Sequence, residues 1–148
     1  MKHRIDVPIG AFMALSSLWG CGSPTAPDDP SPHPNEILIN EYTQCYGGYH
    51  GLGRIDVSFS EESRMVPCQP GSGKECVAAG WAWPSTRQVT YYRPWVRDEC
   101  PRELCPGPTT REQLKEAAAH ETCHLAGNPS EPSAIGCLHE TLEKHSCP

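Results

Sequence analysis

The sequence lacks both a membrane-spanning apolar run and a basic stripe. A spanning helix needs about 20 apolar residues, and the longest apolar stretch, residues 7–18, is much shorter. The formal net charge is −6, and removing Lys2, Arg4 and Asp6 with the first 20 residues makes it more negative by one. No nucleic-acid partner is therefore expected.

The first 20 residues have the pattern of a secretory signal peptide, in which a basic start precedes a short apolar core. Leu18-Trp19-Gly20-Cys21 resembles a bacterial lipobox, in which cleavage leaves the cysteine lipid-modified, although Trp19 is bulkier than the usual residue. We therefore predict an exported protein of the bacterial cell envelope, held at the membrane by a lipid on Cys21. The alternative is an ordinary signal peptide, a secreted protein and an unmodified Cys21.

The segment after the signal peptide, residues 21–35, is rich in proline and nearly free of large apolar side chains. Such a segment cannot repay the entropy of folding, so we predict an extended tether. The folded domain is then residues 36–148.

Nine cysteines is an odd number for an exported chain. No CxxC pair is present, which disfavours a zinc ribbon. If Cys21 carries lipid, eight cysteines remain and predict four disulfides. Spacing does not fix the pairing, but Cys68 with Cys76 and Cys100 with Cys105 would close short loops. Cross-links worth roughly 2–4 kcal/mol each can support a thin core.

Two segments have the composition of strands. Residues 55–60 alternate apolar and polar side chains, and residues 88–92 are rich in β-branched and aromatic ones. Trp81 and Trp83 lie between them. We expect both in the core rather than in a cleft, because aromatic side chains dominate burial in small domains.

A helix is predicted over residues 111–126, which contain no glycine or proline. Thr109 with Glu112 has the capping-box pattern, and Gly127 is a natural stop. The predicted buried face comprises Leu114, Ala117, Ala118, His120, Glu121, His124 and Leu125. The opposite face comprises Arg111, Glu112, Lys115 and Thr122.

Three ionisable side chains on that apolar face predict a zinc site, because burying such groups is costly unless they pair or bind metal. His120 and His124 project from adjacent turns of one face. Both can therefore meet one ion at about 2.0–2.1 Å. Glu121 misses the ion but reaches a bound water, whose proton it can accept as general base. This is the helical HExxH arrangement.

Residues 119–127, Ala-His-Glu-Thr-Cys-His-Leu-Ala-Gly, are similar to the active-site helix of zincin metallopeptidases. The glycine after the second histidine is typical of metzincins, particularly matrixins. Residues 55–60 and 80–82 resemble the strands before that helix, and residues 130–135 resemble the stretch leading to the methionine turn. The resemblance implies an α+β fold: a small zincin-like domain with a short mixed sheet, the active-site helix, a C-terminal helix and disulfide staples.

The chain departs from the matrixin pattern at the third ligand. Ser130 stands where matrixins have their third histidine, and the methionine is missing. Residues 137–145 are expected to form a short helix. If Cys123 were joined to Cys137, Glu140 would point toward the metal, and we predict it as the third zinc ligand. It is equally compatible with a solvated surface charge, and five further candidates remain open: His50, Glu131, His139, Glu143 and His145.

Two functions are compatible with this pattern. The first is a zinc-dependent metallopeptidase of the bacterial envelope, hydrolysing peptide bonds in a peptide or protein substrate. His120, His124 and Glu140 would hold Zn²⁺, and Glu121 would be the catalytic base. The second is a non-catalytic, disulfide-rich envelope lipoprotein, a binding module on a degenerate zincin scaffold. The missing third histidine and methionine motivate the second.

Overall fold

Four helices and two small sheets make up the described part of the chain, residues 31–68 and 71–148 of a computed structural model. The helices are α1 (Pro34–Tyr49), α2 (Arg93–Val96), α3 (Arg111–Leu125) and α4 (Glu131–Lys144). The strands are β1 (Asp56–Ser60), β2 (Met65–Pro67), β3 (Glu75–Val77), β4 (Gly80–Trp83) and β5 (Gln88–Tyr92). The α+β class is thus confirmed.

Most predictions for the N-terminal segment concern residues outside the described part of the chain. The signal peptide (1–20), Cys21 and the tether as far as residue 30 lie outside the described residues. None of the described helices is long and apolar enough to cross a membrane.

The larger sheet is mixed, and β5 is its central strand. The order is β1-β5-β4, with β1 parallel and β4 antiparallel to β5. Val89 and Tyr91 on β5 are fully buried. The predicted strand over residues 88–92 matches β5, whereas Ile55 precedes β1 and packs into the core instead. The strands β2 and β3 form a separate antiparallel pair.

Helix α1 is not predicted by the sequence pattern, yet it supplies much of the core. Its buried side chains include Ile39, Tyr42 and Tyr46, and it packs against α3. It begins at Pro34, two residues before the predicted start of the folded domain, with His33 as N-cap. Gly47 near its end leaves room for the Ile55 side chain, because a Cβ there would lie 2.3 Å from Cδ1 of Ile55 and would force that side chain to move.

Helix α3 covers almost the predicted range, but its cap lies one residue later. Thr110 accepts from the backbone N–H of Gln113, and the Gln113 side chain accepts from the backbone of Thr110. The expected Thr109–Glu112 pair is therefore not the cap. Instead, the Thr109 hydroxyl donates to the carbonyl of Trp95.

The buried surface of α3 is wider than one stripe. Thr122, expected on the outward face, is fully buried, and so are Ala119 and Cys123. The reason is that α1 and α4 pack against α3 as well, together with β4. A helix with several neighbours buries more of its surface than spacing alone predicts.

Helix α4 begins six residues earlier than predicted. Ser130 is its N-cap and accepts from the backbone N–H of Ser133, and Pro132 occupies the first turn. Proline near the start is favourable because its missing N–H has no partner there in any case. The stretch that resembles the approach to a methionine turn is thus the start of a helix.

Four disulfides staple the domain: Cys45–Cys147, Cys68–Cys76, Cys100–Cys105 and Cys123–Cys137. The two local pairs proposed from spacing are confirmed. Cys45–Cys147 ties α1 to the C-terminus, and Cys123–Cys137 ties α3 to α4.

The two tryptophans of β4 do not form the core, contrary to expectation. Trp83 is 43% exposed and Trp81 is only partly buried. The Arg64 guanidinium lies 5.3 Å from the Trp81 ring centroid and 5.6 Å from that of Trp83. Strand β4 lies at the edge of the sheet, where one face of each tryptophan ring packs against the Arg64 guanidinium. The interior is filled instead by the tyrosines of α1.

Candidate metal centre

His120 and His124 meet as their spacing predicts. They lie one turn apart on α3, and their Nε2 atoms are 3.1 Å apart. The rings stand nearly perpendicular, with an interplanar angle of 89°. Both side chains are mostly buried, with exposed fractions of 21% and 14%.

The carboxylate that completes this cluster belongs to Glu131. Its Oε2 lies 3.1 Å from Nε2 of His120, and its Oε1 lies 3.3 Å from Nε2 of His124. Glu131 is the first residue of α4, and only five residues separate it from the end of α3. The Cys123–Cys137 disulfide links these two helices near the cluster.

The turn between α3 and α4 also sets the tautomer of the His124 ring. Nδ1 of His124 lies 2.8 Å from the backbone carbonyl of Asn128, and a carbonyl only accepts, so Nδ1 carries the proton. In neutral His124 the lone pair is then on Nε2. A hydrogen bond of this kind typically orients metal-binding histidines.

Gly127 makes that turn possible. Its φ of 101° is a conformation that glycine adopts readily. The N–H groups of Gly127 and Asn128 donate back to the carbonyls of His124 and Cys123, which is the Schellman pattern. The Asn128 side chain donates to the same Cys123 carbonyl. The Asn128 carbonyl is therefore held in place beside His124.

The spacing of the three side chains suits a tetrahedral ion. Ligands about 2.0–2.1 Å from zinc stand about 3.3 Å from one another at tetrahedral angles. The three contacts in the cluster measure 3.1, 3.1 and 3.3 Å. Burial lowers the pKa of His120, and the charge of Glu131 offsets only part of this effect. The lowered pKa favours the neutral ring, which is the form that binds metal. Two imidazole nitrogens and a carboxylate that converge in this way could share one cation, and with one carboxylate oxygen as ligand a fourth tetrahedral position would stay open.

Glu121 follows His120 on α3 and is buried in the protein interior. It is 6% exposed, and within the described part of the chain its Oε2 has no hydrogen-bond partner. Burial, and next the charge of Glu131, raise the pKa of Glu121 to about 8. An unpaired buried carboxyl is costly. A divalent cation at the cluster would offset that cost by favouring the carboxylate.

Glu140, the third ligand predicted from the sequence, lies elsewhere. It is exposed and pairs with Lys144 one turn along α4, and its pKa is lowered chiefly by that hydrogen bond. Within residues 31–68 and 71–148, two groups have the geometry of a metal site: His120 with His124 and Glu131, and His50 with Cys123 and Cys137. Glu140 belongs to neither.

The other open candidates are spread along the C-terminal segment. His139 and Glu143 are exposed on α4. The ring of His145 stacks on Tyr49 with centroids 4.0 Å apart. Among all six candidates, the structure brings only Glu131 to the two histidines. The sequence signal for it was Ser-Glu-Pro at residues 130–132, a helix start that places an acidic residue in the first turn.

No known protein family, curated protein or solved structure matches this chain. The geometry of the site therefore has to support a function by itself.

Proposed function

We propose that this chain is a zinc-dependent metallopeptidase in which His120, His124 and Glu131 hold the metal and Glu121 is the general base. The observation that carries the proposal is the triangle of two imidazole nitrogens and a carboxylate, together with the neighbouring buried Glu121, whose Oε2 has no hydrogen-bond partner in residues 31–68 and 71–148. Glu131 thus takes the role that the sequence pattern gave to Glu140.

A zinc ion in this triangle would supply a Lewis acid for a peptide carbonyl and would lower the pKa of water at the open position. Glu121 accepts the proton of the attacking water and returns it to the leaving amine. The hydrogen bond from Nδ1 of His124 to the Asn128 carbonyl leaves the lone pair on Nε2, the atom that faces His120 and Glu131.

Access to the centre is from the side of Glu131. Its side chain is 67% exposed, whereas the two histidines are largely covered by the helices. Glu131 is therefore the member of the cluster that a peptide in solvent can contact first. Glu121 is buried, which suits a base that acts on a bound water rather than on free solvent.

We also propose that the chain is exported and carries a lipid at Cys21 in the bacterial cell envelope. The eight cysteines after residue 30 pair among themselves, which frees Cys21 for another use. Export also gives the oxidising environment that four disulfides need. Radioactive palmitate should label the wild-type protein in bacteria, and Cys21→Ser should abolish the label. Equal labelling of both would contradict the anchor.

The second candidate remains a non-catalytic envelope binding module. The exposure of Glu131 favours it, because a ligand open to water binds metal less tightly than an enclosed one. Zinc-dependent turnover would exclude this candidate.

Peptidase activity of Glu121→Gln tests the proposed function. General acid–base catalysis contributes about 10²–10⁴-fold, so we expect a loss of at least about 100-fold with zinc content unchanged. Glu116→Gln, an exposed change on the same helix, is the matched control and should retain full activity. Equal activity of wild type and Glu121→Gln on a peptide library would contradict the role of Glu121.

A further inference from the structure

We propose that His50, Cys123 and Cys137 form a second metal site when their disulfide is reduced to two thiols. The proposal does not depend on the first centre, whose ligands are nitrogen and oxygen atoms only. The residues come from three places in the fold: His50 is the C-cap of α1, Cys123 lies in α3 and Cys137 lies in α4.

The imidazole already stands at the distance that a shared ion requires. Nε2 of His50 lies 3.8 Å from Sγ of Cys123 and 4.0 Å from Sγ of Cys137. Zinc binds sulfur at about 2.3 Å and imidazole nitrogen at about 2.0–2.1 Å, which places the two ligand atoms about 3.6 Å apart at tetrahedral angles. Once the covalent bond is broken, only the two sulfur atoms have to separate.

A buried hydroxyl orients the same ring. Oγ1 of Thr141 lies 3.2 Å from Nε2 of His50 and 3.7–3.8 Å from the two sulfur atoms. Thr141 is 3% exposed. The polar atoms of four residues therefore converge on one point, although the disulfide alone needs none of the others.

The cluster is reached through a surface groove. His50 and Cys137 line this groove together with Glu140, Thr141, Lys144 and His145. A reductant can therefore approach the disulfide from the side of Cys137, a partly exposed residue, whereas Cys123 is fully buried. An ion can enter by the same route, and Glu140, which does not reach the first centre, lies here as a candidate fourth ligand.

The chemistry balances with a phosphine as the reductant. The disulfide takes up two electrons and two protons to give two thiols, while the phosphine becomes its oxide with an oxygen atom from water. Metal binding then releases both thiol protons, because the thiolate is the ligand. Soft thiolates with one imidazole suit Zn²⁺ and Co²⁺. The bound ion links α3 and α4 in place of the disulfide, so the two helices are cross-linked in both redox states.

Cobalt titration of the full mature chain after phosphine reduction tests this site. We expect one Co²⁺ per chain that shows sulfur-to-metal charge-transfer absorption, and none of this absorption in the oxidised protein. His50→Ala leaves every cysteine in place and should weaken this cobalt binding at least about 10-fold. His139→Ala, an exposed histidine on α4, is the matched control and should bind like wild type.

Three results would overturn the proposal. They are the absence of thiolate absorption in the reduced wild type, equal cobalt affinity of wild type and His50→Ala, and persistence of the absorption in Cys123→Ser/Cys137→Ser. The last two would mean that other thiols of an opened chain bind the metal. Failure of the first centre would not change any of these readouts, because it contains no sulfur ligand.

Discussion

At the scale of single residues, the carboxylates of this chain differ mainly in their surroundings. Glu36 is buried between arginines, and Glu131 stands between two imidazoles. Glu121 is buried, and its Oε2 has no hydrogen-bond partner among the described residues. Glu140 is exposed beside a lysine. Only the first of these has an obvious role in stability. Its Oε1 accepts from Nε of Arg97 at 2.9 Å.

The ion pairs of Glu36 should make the stability of the fold sensitive to acid. Burial alone would raise the pKa of Glu36, but the hydrogen bonds from Arg97 and the His33 backbone, with the charges of Arg97 and Arg93, outweigh it and lower the pKa. A lowered folded-state pKa means that stability is present above the ordinary carboxyl pKa and is lost as pH falls through the folded one. Glu36→Gln should therefore cost about 1–3 kcal/mol at pH 7 and much less at pH 3.

Urea unfolding at both pH values measures this difference. Glu61→Gln is the matched control, because Glu61 also pairs with Arg93 but is 66% exposed, and an exposed pair is worth about 0–1 kcal/mol. A cost for Glu36→Gln that stays constant from pH 7 to pH 3 would contradict a role for its charge.

The residues of the site were unequally predictable from the sequence. His120, Glu121 and His124 follow from helical spacing, which is a local property. Glu131 depends on the direction in which α4 leaves α3, and a backbone turn at residues 126–130 sets that direction. Spacing along one helix carries no information about such a turn, so Glu140 was predicted as the third ligand and Glu131 was only one of the open alternatives.

At the scale of elements, the turn at Gly127 positions the site. Its φ of 101° is strained for any other residue, and a Cβ there would meet no neighbouring atom within 4 Å. Gly127→Ala should therefore destabilise the protein by about 1–2 kcal/mol through backbone strain alone. It should also weaken zinc binding, because it displaces the Asn128 carbonyl from His124.

Substitution of Gly136 on α4 should have the opposite effect on stability. Gly136 lies inside the helix, is exposed, and the space that an added methyl group would occupy is also free. Gly136→Ala should stabilise by about 0.5–1 kcal/mol, since glycine is unfavourable inside a helix. Thermal unfolding of Gly127→Ala and Gly136→Ala measures the expected loss and gain of stability. Equal destabilisation by the two substitutions would contradict the conformational explanation.

The elements themselves were predicted well where a local pattern defines them. Strand β5 and helix α3 have clear periodicity or clear end signals. Helix α1 was missed because paired glycines and polar residues hide its apolar face, which only packing against α3 reveals. The tryptophans of β4 were misplaced for a related reason: the sequence did not show that β4 is a sheet edge.

At the scale of the whole molecule, the disulfides differ in how much chain they close. Cys45–Cys147 spans 102 residues of sequence and Cys68–Cys76 spans 8. In the chain-entropy description these loops are worth about 4–5 and about 2–3 kcal/mol. Replacing Cys45 and Cys147 by alanine should therefore cost more than replacing Cys68 and Cys76.

Guanidinium unfolding of the two double variants compares them directly. The burial of Cys147 at 1% exposure strengthens the expected order, because its loss also removes packing. Equal costs for the two pairs would mean that loop length does not determine the stability of this domain.

The central claim is that Glu131 completes the metal centre. Zinc per chain, measured on the oxidised domain of residues 31–148 for wild type, Glu131→Gln and Glu140→Gln, tests it most directly. We expect one zinc in wild type and in Glu140→Gln, and at least about 10-fold weaker binding in Glu131→Gln. Loss of zinc from Glu140→Gln alone, or no zinc in the wild type, would contradict it.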